Sequence, residues 1–68
     1  MTAEEWIGRF AAEAGLEAPS PEQIDSLLKI AAAAAHSSER IAAPVACYLV
    51  GAGGIDLDRA REIAEGIG

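Results

Sequence analysis

The chain has 68 residues, a formal net charge of −6 and a single cysteine, which limits it to one small domain. Eleven acids against five bases leave no basic surface to neutralise nucleic-acid phosphates or to grip an anionic membrane. One cysteine and one histidine allow neither an internal disulfide nor the roughly four-ligand shell of a structural zinc site; a lone thiol with no secretory signal is expected in the cytoplasm.

A first helix is expected over residues 3–14. Thr2 is placed to cap it, with Glu5 three residues later completing a capping box. Trp6, Ile7, Phe10, Ala11 and Ala14 recur at helical spacing. Trp6 and Phe10 are expected to anchor the core; a partly exposed Trp6 would instead be a natural interface residue. Glu5 and Arg9 are spaced for an i,i+4 ion pair, and Gly15 can adopt the left-handed conformation that ends a helix.

The second helix, 21–37, carries the strongest local signal. Ser20 is the cap, Pro21 opens the first turn and Gln23 closes a second capping box. Ile24, Leu27, Leu28, Ala31 and Ala35 line one face, which Ile30 and Ala34 widen, while Asp25 and Lys29 pair on the outside. The run Ala31–Ala35 favours helix strongly and lets another backbone come close.

A third helix, 44–52, is expected to start at Pro44, whose missing N–H costs nothing in a first turn. Either Ala43 or the preceding turn must then act as its cap. Val45, Tyr48, Leu49 and Ala52 form one face, extended by Cys47 and Val50. A helix apolar nearly all round belongs at the centre of a fold or in an interface. The uncharged stretch Ile41–Ile55 is too short to span a bilayer, which needs about 20 apolar residues. Gly51, Gly53 and Gly54 end this helix. Asp56 caps the fourth, 57–66, with Leu57, Ala60, Ile63, Ala64 and Ile67 facing inward. Short connections make the expected fold an all-α compact bundle of four short helices in a single domain over 1–68, neighbours running roughly antiparallel. So small a core is marginal by itself, which makes a homodimer one expected supplement.

Chemistry concentrates between His36 and Gly51. His36 is the only histidine, the residue type most used for acid–base work and metal binding, but no second ligand or catalytic group stands near it. Its expected role is structural, at the negative end of the second helix. Ser37 and Ser38 are expected to make turn and capping hydrogen bonds, since catalytic triads converge from separate segments and no nucleophile elbow is present. Arg40 could clamp a phosphate or carboxylate with its planar fork; a structural or interface role is favoured. The glycines after Val50 lack the strand and lysine of a phosphate-binding loop and read as a helix–helix turn. Cys47 has no neighbouring cation to activate it and is expected to be packed. Glu4, Glu5, Glu13 and Glu17 form a solvated face. No catalytic residue, cofactor or metal ligand is assigned, and enzymatic activity is not expected.

Two blocks resemble a known family. The opening T-x-E-E-W-I with Phe10, and the block A-H-S-S-E-R-x-A-A-P-V-x-x-Y-L-x-G from Ala35 to Gly51, are similar to a small actinobacterial family of domains of unknown function. Its members are free-standing or extend molybdenum cofactor guanylyltransferases at the C-terminus. Ile41 departs from the pattern, in which proline is common after the arginine. The resemblance covers nearly the whole chain and implies an accessory role in molybdopterin guanine dinucleotide synthesis or cofactor insertion, with a guanylyltransferase or a molybdoenzyme as partner. It does not imply transferase activity, because the nucleotide-binding domain is missing from these residues. The positions it points to are His36, Glu39, Arg40 and Tyr48 for ligand or partner contact, with Pro44 and Gly51, beside Trp6 and Phe10, as structural residues. The readings left open are a helical interaction module, a domain binding a small anion such as a pterin phosphate, and a structural homo-oligomer.

Overall fold

The computed structural model describes residues 1–67 and arranges them as four helices: α1 (Ala3–Ala14), α2 (Pro21–Ser37), α3 (Ala42–Gly53) and α4 (Leu57–Ile67). The helix starts follow local chemistry. Thr2 Oγ1 accepts the Glu5 N–H at 3.1 Å, and the Glu5 carboxylate accepts the Thr2 N–H at 3.1 Å. Ser20 and Gln23 repeat the exchange at 3.1 and 2.8 Å, with Pro21 in the first turn. The Asp56 carboxylate accepts the Arg59 N–H at 3.1 Å. Each bond satisfies a donor that a helix start leaves without an intrahelical partner. Because Glu5 is committed to Thr2, the expected Glu5–Arg9 pair does not form; Arg9 turns to Glu13 at 3.0 Å. The Asp25–Lys29 pair forms at 3.0 Å.

The hydrogen bonds from Thr2, its backbone N–H foremost, hold the Glu5 carboxyl below its ordinary pKa. A group depressed in the folded state contributes stability above its unfolded pKa and loses it as pH falls through the folded value. Acidification through the carboxylate range is therefore expected to fray α1, read by the fluorescence of Trp6, the sole tryptophan. Glu5→Gln keeps both hydrogen bonds but cannot titrate, so its acid response should be flatter; identical curves would take the capping box out of the explanation.

α3 starts before Pro44. Ile41 is its N-cap and makes no side-chain capping bond. The N–H groups of Ala42 and Ala43 donate to the carbonyls of Glu39 and Arg40 at 3.0 and 3.2 Å, and Pro44 has no N–H to satisfy. A tight turn thus replaces the side-chain cap. Nor does Gly51 end α3, which continues to Gly53 and stops at Gly54, φ 61°. There the N–H groups of Gly54 and Ile55 reach the carbonyls of Gly51 and Val50 at 3.3 and 3.1 Å. Gly15, φ 73°, closes α1 in the same left-handed way.

α2 is the element on which both α3 and α4 pack. Ile30, 1% exposed, lies at the centre with Val50 and Ala60, flanked by Leu27, Ala46, Leu57 and Ala64. Two expected faces are corrected. On α2, Leu28 is exposed and Ile30 is the pivot. On α3, Ala46, Cys47 and Val50 turn toward the protein, with the Cys47 Sγ 3.9 Å from the Leu27 carbonyl oxygen, and Val45, Tyr48 and Leu49 are exposed. An all-apolar helix has no polar side to orient it, so close packing decides. The small Ala46 and Cys47 let α3 approach the alanine-rich α2, whereas Tyr48 would hold it away.

α3 and α4 do not pack extensively on each other, and α1 packs extensively on none of the other helices. The result is an open molecule. It exposes 5236 Å², whereas a folded monomer of 7.0 kDa exposes about 4,000 Å². Its radius of gyration is 12.3 Å, against about 11 Å for a compact chain of this length.

Candidate functional site

Because α3 and α4 both lean on α2 but splay from each other, a cleft opens between them. Ile30 and Ala34 of α2 form its floor, Val45 and Leu49 of α3 one wall, and Ile63 and Ile67 of α4 the other, around a volume of about 460 Å³. Ile55, in the connection between the walls, and Ser37 and Ser38 also border it. Those hydroxyls are engaged as donors: Ser37 Oγ bonds the Ala33 carbonyl and Ser38 Oγ the Ala34 carbonyl, each at 2.7 Å. Each is the back-bond of a serine to the carbonyl four residues earlier, along the last turn of α2. The cleft is therefore lined by hydrocarbon and carries no charged group.

None of the residues singled out by sequence for ligand or partner contact lines this cleft. His36 is exposed in the last turn of α2, and Glu39 and Arg40 are exposed in the turn that follows. The side-chain bonds described at the end of α2 come from Ser37 and Ser38, to the Ala33 and Ala34 carbonyls, and none comes from His36. None of the described ion pairs or side-chain hydrogen bonds joins His36, Glu39 and Arg40 to one another. Tyr48, 71% exposed, stands on the outer side of α3. It is seven residues from the equally exposed Ile41, a spacing of nearly two turns that puts both on one side of the helix. Arg40, Ile41 and Tyr48 thus make a surface of one cation and two large apolar groups at the α2–α3 corner. Pro44 and Gly51 are exposed parts of α3.

A second exposed apolar feature lies on α1. The rings of Trp6 and Phe10 stack with centroids 5.3 Å apart and planes 18° from parallel, yet they are 57% and 59% exposed. They do not anchor the core, in contrast to their first expected role. The concavity in front of them is lined by Met1, Arg9 and Glu13, all from the same end of the chain. α1 instead turns Ile7 and Gly8 toward Pro19, Pro21 and Ile24, where α2 begins.

No helix is long and apolar enough to cross a membrane, and no group of three or more His, Cys, Asp or Glu side chains is disposed to hold a metal among the described residues. The fold and its surfaces define a small all-helical domain with an uncharged cleft and exposed aromatic groups. The model of the family described as a domain of unknown function, DUF6457, matches residues 1–67, and the chain belongs to that family. No curated protein and no solved structure matches the chain.

Proposed function

We propose that this domain is a non-enzymatic helical interaction module that docks a protein partner through the α2–α3 corner. The observation that carries the reading is the exposure of Tyr48, on a helix with no charged residue, together with Ile41 and Arg40 in the turn that leads into it. Tyrosine and arginine are enriched at the centres of protein interfaces, because each joins a large contact area to a polar or charged tip. The similarity of the blocks Thr2–Ile7 and Ala35–Gly51 to domains that extend molybdenum cofactor guanylyltransferases supplies the partner class: such a guanylyltransferase, or a molybdoenzyme that receives the cofactor. An actinobacterial cytoplasm is the setting this similarity implies. His36 and Glu39 flank the contact and adjust its charge.

Pull-down with the tagged full chain from a native lysate tests this. A guanylyltransferase or molybdoenzyme should be recovered, and Tyr48→Ala or Arg40→Ala should each weaken the capture about 30-fold or more, as truncation of an interface anchor does. Both positions lie outside the core, so circular dichroism should remain unchanged. Recovery of neither partner class, or capture indifferent to both substitutions, rejects the reading.

A further inference from the structure

We infer that the α3–α4 cleft is filled by the Trp6–Phe10 face of α1 from a second copy of this chain, in a symmetric, reciprocal dimer. The inference rests on the interaction-module reading but uses a different surface from the α2–α3 corner. The first argument is area. The chain exposes 5236 Å², about 1,200 Å² more than its mass predicts, and a standard protein interface covers about 800 Å² per partner. Two copies docked through these faces would remove about two thirds of that excess.

The second argument is that both halves of the contact are present in one molecule. The cleft lacks a helix to close it as a bundle, and α1 is an amphipathic helix not packed extensively on the rest of the fold. Their lengths agree: α1 and α3 have 12 residues each and α4 has 11, so each runs about 16–18 Å. Within one chain α1 is held where α2 begins, at Pro21 and Ile24, whereas the cleft lies over Ile30 to Ser38. A foreign helix in the cleft would leave Trp6 and Phe10 in water. A second copy covers both surfaces at once, and a two-fold axis closes the assembly at two chains.

Each copy carries a net charge of −6, so the dimer forms against a long-range repulsion that salt screens. Its dissociation constant should therefore fall as salt rises; the opposite trend would place the contact on ion pairs and overturn the proposal.

Sedimentation equilibrium of the full chain is the direct test. A dimer is expected at micromolar concentration. The double variants Trp6→Ser with Phe10→Ser, and Val45→Glu with Leu49→Glu, should each raise the dissociation constant about 30-fold or more. Helicity should persist, since all four side chains are more than half exposed in the single chain. Mixing the two double variants should restore a heterodimer with one of the two contacts intact. A monomeric wild-type chain, or a dimer indifferent to the aromatic pair, overturns the proposal; the aromatic pair alone decides if the glutamates disturb folding. Tyr48→Ala should stay dimeric while losing its partner, so failure of self-docking and failure of the partner reading produce different results.

Discussion

Ile30→Ala is expected to remove most of the stability of this domain. Ile30 is the one large side chain that is fully enclosed, at 1% exposure, and it joins α2 to Val50 of α3 and Ala60 of α4. Truncating a buried isoleucine costs about 2–5 kcal/mol, from lost transfer free energy and from the cavity left behind. A domain below about 70–80 residues rarely holds more than about 3–5 kcal/mol in all. The urea midpoint followed by circular dichroism should therefore fall steeply, with much of the chain unfolded in dilute buffer. Leu28→Ala, two residues earlier on the opposite side of α2 and 63% exposed, should cost well under 1 kcal/mol. Equal losses at the two positions would mean that Ile30 is not the pivot on which α3 and α4 depend.

Gly54→Ala and Gly15→Ala make the same chemical change at nearly the same backbone conformation, φ 61° and 73°. They are nevertheless expected to have different consequences. A Cβ in the left-handed region costs about 1–2 kcal/mol, and no nearby atom obstructs it at either site, so the penalty is conformational in both. Gly54 sets the turn from α3 into α4, and both helices pack on α2. Its substitution should lower the thermal midpoint of the whole domain. Gly15 closes α1, which is not packed extensively on the other helices. Its substitution should appear in Trp6 fluorescence while leaving the main transition nearly unmoved. A global shift of equal size from both glycines would show that α1 is integral to the cooperative unit.

Legibility followed the range of the interaction. Thr2 with Glu5, Ser20 with Gln23, Asp56, Gly15 and the Asp25–Lys29 pair are arrangements within a few residues, and each forms as its spacing predicts. The start of α3 at Ala42 was less visible, because backbone bonds to Glu39 and Arg40 replace a side-chain cap and leave no residue signature. Of the candidate site, the polar positions His36, Glu39 and Arg40 and the aromatic Tyr48 could be picked out, since charge and ring size stand out beside an apolar run. The cleft could not. Val45, Leu49, Ile63 and Ile67 have the same hydropathy whether they fill a core or line an open groove; Ile63 and Ile67 were expected to face inward, and α3 to lie at the centre of the fold or in an interface.

By itself, the sequence determines that this protein is a chain of four helices, three of them started by a side-chain cap, with an acidic surface and no internal disulfide. Those outcomes depend on backbone hydrogen bonds, side-chain spacing and composition, which act locally or need no geometry. Only the tertiary structure decides that α2 is the centre, that Ala46, Cys47 and Val50 form the packed side of α3, and that α1 stands apart with Trp6 and Phe10 in solvent. The hydrophobic effect rewards burial without direction. Which apolar faces are covered is settled by how closely helices of given side-chain size can approach, and here that leaves one cleft and one aromatic face open.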